Sequence, residues 1–437
     1  MTAELPPHER FAWNPKSHQP HRTLTKSQRN RRYLSLVGPY SRAAATILRA
    51  APGILWHFWR EKGRPAPLPR PIPATFFGLG TDGSPELLDR LGPDIVDLGA
   101  QTVLVRVPAW DLSCLPTSRR FLSDFNGCGI PGTVAVLQDR QSVQAPDRWR
   151  DALSQIFEQL GSVAGMFEIG HAWNRLKWGV HSPAQYLSLL ATALEFRERD
   201  PKLRLAGPAV IDFEYHWTVS VLHHPRHAPR FDAITSLLYV DRRGAPERTQ
   251  AGFNLQGKIK LLRSVVATSA NPSVPLWITE TNWPLAAKEG YAPTSKKEAV
   301  SLDDYASYQI RYYLLALASG CIDRVYWWQV AAHGYGMIDD IDGQWNRRPA
   351  FSAYKTMTRL LKSATLTAVE IQPDVCRLNF SSPAGPSLSV CWTPGPPRLY
   401  DPAIPLAALI SRDGDELPVP ATGRVQLTAA PVYLVHR

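Results

Sequence analysis

The side chains able to carry chemistry stand at the ends of short apolar runs. Arg106 follows Thr102-Val-Leu-Val, His171-Ala-Trp-Asn174 follows Phe167-Glu-Ile-Gly, and Tyr239 closes Asp232-Ala-Ile-Thr-Ser-Leu-Leu. Glu280 closes Leu276-Trp-Ile-Thr and leads into Thr-Asn-Trp-Pro284, while Asp212 to His216 and Trp327-Trp328 occupy similar places. A carboxylate with Tyr239, Trp283, Trp327 and Trp328 near it suits a site where a sugar stacks on aromatic faces. Two plainer roles stay open. Each aromatic can be core packing, and Glu280 can be a structural ion-pair partner of Arg106.

These residues act together only if the chain brings the run ends to one place. From residue 74, apolar or β-branched runs alternate with helical spacing, the mark of βα units and a parallel sheet. The expected strands are 75–80, 102–107, 132–137, 164–170, 204–210, 232–239, 275–280 and 324–329. Between them, Trp149, Leu153, Ile156, Phe157 and Leu160 share one helical face. Ser84-Pro85 and Ser182-Pro183 read as N-caps followed by proline at the first helical position, and a helix over 301–319 ends at Gly320. Eight such units over 74–362 predict an α/β fold, a (β/α)₈ TIM barrel, whose functional groups lie at the carboxyl ends of the strands. Beyond residue 363 the helical spacing stops, and short strands between Pro/Gly turns predict a small all-β domain over 363–437.

The chain has 437 residues and a formal charge of +11, with 44% apolar and 20% charged residues, a globular composition. Residues 1–73 hold 13 Lys/Arg and 3 Asp/Glu, whereas the other 364 hold 36 and 35, so the basicity belongs to an amino-terminal arm. That arm carries 11 of the 39 prolines and ends in Arg64-Pro-Ala-Pro-Leu-Pro-Arg-Pro-Ile-Pro73, which reads as a stiff linker. Within it, the stretch from Ser41 to Arg60 mixes apolar residues with arginine and places Trp56 and Trp59 near one end. This suits a helix lying on a membrane surface; the alternative is a helix packed on the main domain with its arginines solvated. Nucleic acid is a weak partner for the arm, because no familiar binding-module pattern is present. No spanning helix or cleavable leader is expected, and five scattered cysteines without a CxxC pair fit a reducing compartment. The expected location is cytoplasmic, with the arm holding the protein peripherally at the inner membrane.

Several motifs resemble the clan A glycoside hydrolases, and most of all the β-xylosidase-like family 39. Phe167-Glu-Ile-Gly-His-Ala-Trp-Asn-Arg175 is similar to their strand-four motif E-I-G-N-E-P-N, and Trp277-Ile-Thr-Glu-Thr-Asn-Trp283 to their strand-seven nucleophile motif. Gly336-Met-Ile-Asp339 followed by Pro349-Ala-Phe-Ser-Ala-Tyr354 resembles the passage after strand eight, and Arg106 and Tyr239 also match. The resemblance covers about 74–437 and leaves out the arm. It implies an O-glycosyl hydrolase acting on an oligo- or polysaccharide, or on an activated or lipid-linked glycan, in bacterial envelope or exported polysaccharide metabolism. Glu280 and His171 are then the catalytic candidates, and Arg106, Asn174, Tyr239, Trp283, Trp327 and Trp328 the sugar-binding ones.

One departure bears on that reading. Retaining glycosidases use two carboxyl groups ~5–5.5 Å apart, one as nucleophile and one as acid/base. Glu280 matches the nucleophile, but Ala172 occupies the acid/base position, His171 replaces the preceding Asn, and Leu237 replaces the usual His on strand six. Glu168, four residues before Ala172 on an extended strand, lies roughly 13 Å from that position and is no obvious substitute. Three readings follow: a displaced acid (His171, Glu214 or His216), a leaving group that departs as a stable anion, or a glycan-binding protein without turnover. No metal-ligand spacing, phosphate-cradling loop or dinucleotide fingerprint is present, so no cofactor or metal is expected.

Overall fold

The computed structural model of the protein describes residues 12–21, 25–288, 290–292, 296–383 and 385–437. Eight parallel strands close into a barrel: β1 (Phe77–Thr81), β2 (Thr102–Pro108), β3 (Gly132–Leu137), β4 (Ala164–Ile169), β5 (Leu205–Ile211), β6 (Ala233–Leu237), β7 (Leu276–Thr281) and β8 (Arg324–Trp328). Each pairs with its neighbours in sequence, and β8 returns to β1 through Val325 opposite Phe77 and Trp328 opposite Gly80. The strands are buried on both faces, which explains why β2 reads almost continuously apolar around a single inward Arg106. One interior cluster includes Leu104, Ala135, Met166, Ala206, Trp277 and Tyr326; another, containing residues at and just beyond the strand ends, includes Leu137, Ala172, Ala209 and Tyr239.

The helix signals act as their chemistry requires, with one difference. Ser182 caps the helix Pro183–Arg199 by accepting from the Gln185 amide, and Ser301 caps Leu302–Ala318 by accepting from the Asp304 amide. Ser84 makes no side-chain cap; its own amide donates to Asp82 Oδ1 instead, a local turn that competes with capping. After the barrel, the carboxyl-terminal residues form an antiparallel sheet that includes Thr365–Ile371, Cys376–Ser382, Gly385–Trp392, Leu406–Ile410 and Val432–His436.

The basic arm is not a detached tail. Arg70–Pro71 adds a short strand to the edge of the carboxyl-terminal sheet, pairing with Thr365 and Leu366. Upstream, a 25-residue helix, Val37–Glu61, lies along the outside of the barrel. Its inner face buries Thr46 and Ile54, sets Phe58 against Phe253 and Tyr40 against Trp217, and lets Arg49 donate to the His223 carbonyl. Its outer face leaves Leu48, Leu55, Trp56 and Trp59 between 59% and 74% exposed. Further upstream, Trp13–Asn14 pairs with Gln19–Pro20 in a hairpin that sits in the barrel mouth.

Buried Arg311 is one of the cations that clamp barrel and sheet. Arg311 Nε donates to Glu247 Oε1 at 3.0 Å, its Nη2 donates to Glu247 Oε2, and Trp392 Nε1 of the sheet donates to the same carboxylate at 2.8 Å. Glu247→Ala leaves that charge buried and unpaired, and is expected to lower the unfolding free energy by about 3 kcal/mol in urea titrations. An unchanged midpoint would show that the clamp contributes nothing.

Candidate active site

Six strand ends converge on a cavity of about 140 Å³ at the carboxyl-terminal face of the barrel, where residues from different strands can meet. β2 supplies Arg106, β5 Ile211, β7 Glu280 and β8 Trp328, while the residues just beyond β4 and β6 include His171 and Tyr239. Glu280 is 6% exposed and is held from two sides: Arg106 Nη2 donates to Oε2, and the Tyr239 hydroxyl donates to Oε1. His171 Nε2 stands 3.3 Å from the same Oε2 and 3.0 Å from Arg106 Nη2. The Arg106 guanidinium lies over the Trp328 ring, 3.3 Å from its centroid. Burial lowers the Arg106 pKa to about 10, which still leaves it charged near neutral pH.

The backbone around His171 is fixed by another buried side chain. Gln138 accepts from the His171 amide at 2.8 Å and donates to the carbonyls of His171 and Trp178. Gly170 turns the chain there with φ +81°, and a Cβ would lie 2.8 Å from Tyr186 Cε2, so glycine is required. Burial, and then the Arg106 charge, hold His171 well below the ordinary histidine range and therefore neutral. Its ring lies edge-on to Trp178 at 4.6 Å between centroids, and its Nδ1 is buried without a hydrogen-bond partner. At 3.3 Å from Glu280 the ring lies beside the carboxylate, not across a glycosidic bond from it. A guanidinium can only donate, so the neutral ring accepts from Arg106 at Nε2; His171 positions Arg106 and has no proton at Nε2 to deliver.

The other expected site residues separate into two groups. Arg106, Tyr239 and Trp328 line the cavity with Glu280 and His171. Asn174, Trp283 and Trp327 do not. Asn174 is engaged with the Ile211 backbone and with Glu214. Trp283 and Trp327 are fully buried, stacked on one another at 5.8 Å, with their indole N–H groups bonded to the 243–244 carbonyls and to Tyr305. They are core aromatics behind the strand ends, so of the expected aromatics Trp328 and Tyr239 alone line the cavity. Neither alternative acid faces the cavity. Burial raises the Glu214 pKa, but its bonds to Arg175 and Asn174 outweigh this and leave it lowered; burial lowers His216. Ala172 is fully buried in the cluster that contains Trp178 and Tyr239, with φ +43°.

Sequence reasoning missed several cavity residues. Arg175, Lys177, Trp178 and Arg243 line it from the loops after β4 and β6, and Ser17, His18 and Gln19 line it from the arm. Arg175 and Lys177 immediately follow the strand-four motif, a signal that was present; nothing in residues 12–21 marks them as site residues. Among the described residues, no group of three or more His, Cys, Asp or Glu is placed to hold a metal ion.

Below the cavity, Glu168 is buried in the barrel interior with Oε2 lacking a partner. Burial raises its pKa to about 7, only partly offset by the Thr279 and Thr235 hydroxyls. The native state therefore holds a proton that the unfolded chain releases near pH 4.5, so stability falls as pH rises through that window. Between pH 4.5 and 8, wild-type protein is expected to lose about 3 kcal/mol more unfolding free energy than Glu168→Gln. Parallel pH profiles in chemical denaturation would contradict this.

No family model and no curated protein matches the sequence. Solved structures do share the fold. A family 39 glycoside hydrolase from Bacteroides cellulosilyticus WH2 superposes with a TM-score of 0.65 at 16% identity, covering 84% of this chain and 81% of that one. AbfB, a family 51 α-L-arabinofuranosidase from Bifidobacterium longum, gives 0.54 at 13% identity, covering 86% and 98%. The GH51 arabinofuranosidase from Xanthomonas axonopodis pv. citri gives 0.51 at 12% identity, covering 85% and 96%. The chain thus shares its fold with these glycoside hydrolases.

Proposed function

We propose that this chain is a carbohydrate-active protein in which Glu280 is the nucleophile toward an anomeric carbon. Arg106 and Tyr239 hold that carboxylate in place, and His171 in turn accepts from Arg106. The observation that carries the reading is one buried, doubly hydrogen-bonded carboxylate facing a cavity at the carboxyl end of the barrel, with Trp328 and Tyr239 beside it. Among the described residues lining the cavity, Glu280 is the single carboxylate. General acid assistance typically contributes ~10²–10⁴-fold, so its absence selects substrates whose leaving group departs unaided. Glycosyl phosphates and diphosphates, lipid-linked ones included, meet that need. Arg175, Lys177 and Arg243 on the same cavity would favour an anionic leaving group. A second reading, glycan binding without turnover, draws support from the direct Arg106–Glu280 pair, which damps the nucleophile, and from the buried Ala172 at the acid/base position.

The setting that fits is bacterial envelope or exported polysaccharide metabolism at the cytoplasmic face of a membrane. The outer face of Val37–Glu61 supports this: Leu48, Leu55, Trp56 and Trp59 are exposed, with Arg42, Arg60 and Lys62 exposed along the same helix and its end. Among the described residues, no helix is long and apolar enough to cross a membrane, so contact would be with the surface.

On activated aryl glycosides and glycosyl phosphates, Glu280→Gln is expected to cut turnover by at least about 10³-fold, roughly 4 kcal/mol of barrier. Equal rates in the two proteins would remove Glu280 from the chemistry; no rate in either would favour the binding reading. In flotation with anionic vesicles, wild-type protein should rise with the lipid and the Trp56→Ser, Trp59→Ser double variant should stay below. Identical partitioning would remove the membrane contact.

A further inference from the structure

The hairpin at Trp13–Pro20 enters the same cavity and is bonded to its wall. Arg106, whose Nη2 holds Glu280, uses Nη1 to donate to the His18 carbonyl at 3.3 Å. The Tyr335 hydroxyl lies 3.1 Å from the Ser17 carbonyl and 2.7 Å from His18 Nδ1. Gln329 Nε2 is 3.0 Å from that same Nδ1, and the Asp82 amide, donating to Gln329 Oε1, fixes which end of the carboxamide faces the ring. Lys177 Nζ donates to Gln19 Oε1. Outside the cavity, Trp13 packs on Trp110 and Trp178 with centroids 5.4 and 6.1 Å away.

Two features distinguish this from chain passing near a cleft. The hairpin binds through groups that belong to the site itself, so its position and that of Glu280 are coupled through one guanidinium. It also leaves a chamber in front of the carboxylate: Ser17, His18 and Gln19 line the same 140 Å³ cavity as Glu280 without filling it. That volume is small beside the roughly 300 Å³ at which pockets for larger ligands begin.

We infer that the hairpin over residues 13–20 is a specificity-determining wall, which turns an open barrel cleft into a blind pocket for one terminal sugar residue. The inference rests on the carbohydrate reading above, and it assigns a function to a stretch of chain outside the barrel. His18 is the keystone. Its imidazole joins the hairpin to Tyr335 and Gln329, and its φ of +48° is a conformation that glycine adopts without strain. His18→Gly therefore removes the contacts while keeping the backbone, and Trp13→Ala loosens the hairpin from the rim independently.

The test uses the full chain and two readouts. Hydrogen exchange should show the amides of Ser17 and His21, bonded to the Asn14 and Ala12 carbonyls, protected in wild type and less so in both variants. Exchange at the rate of unstructured chain in wild type would overturn the wall, whatever the protein binds. Calorimetry with methyl hexosides and pentosides, and with their β-linked di- to hexasaccharides, reads the pocket. Wild-type affinity should be flat beyond two residues, within about twofold, while the variants should gain about tenfold with length as further residues find contacts. Affinity that already climbs with length in wild type, or an identical profile in the variants, overturns the wall. Binding that appears only in the variants also overturns it, since the hairpin would then be a plug. No saturable binding in any protein overturns the carbohydrate reading and, with it, this assignment; protection of the hairpin amides would tell that failure from a misplaced hairpin.

Discussion

The site depends on one charge pair buried at the top of the barrel. Arg106 on β2 and Glu280 on β7 come from nonadjacent strands, and both are almost wholly shielded from water. Removing either charge from water costs several kcal/mol, which the pair offsets only with good geometry and further hydrogen bonds. The remaining contacts supply these. Tyr239 takes the second carboxylate oxygen, Trp328 offers its π-face to the guanidinium, and the second guanidinium nitrogen finds the His18 carbonyl. A carboxylate held by a donor on each oxygen is oriented in advance for attack, which is the use catalysis makes of such an arrangement.

Closure of the barrel sets the strand ends, but it does not close the mouth. That is done by the arm, which starts on the carboxyl-terminal sheet at Arg70–Pro71, runs up the outside as Val37–Glu61, and turns into the mouth as a hairpin. The described part of this basic arm is therefore a strap that runs from the carboxyl-terminal sheet to the barrel mouth. The helix that exposes Trp56 and Trp59 and the hairpin beside Glu280 belong to the same arm.

Much of this was legible in the sequence, for a physical reason. Strands buried on both faces must be apolar, so all eight barrel strands were expected within a few residues of where they lie, and a lone charged residue in such a strand, such as Arg106, stood out. Glu280 was visible in the same way. Trp283 and Trp327 were misplaced because an aromatic near a strand end has the same signature whether it faces the cavity or the helix layer behind. The hairpin was not legible at all. Its polar residues bond to groups far away in sequence, so nothing in the local pattern of 12–21 marks a site. Nor does periodicity report that His171 would sit beside Glu280 and not opposite it, since that follows from the turn at Gly170 and from Gln138.

The most direct measurement is covalent trapping. 2-Deoxy-2-fluoro glycosyl fluorides carry a leaving group that needs no proton, so a nucleophile without an acid partner can still accumulate a glycosyl adduct. Intact-protein and peptide mass spectrometry across a panel of such sugars should find one fluorosugar per chain, attached at Glu280 and absent from Glu280→Gln. An adduct on another residue, or no adduct on the wild-type protein with any sugar of the panel, would contradict the assignment of Glu280 as the nucleophile.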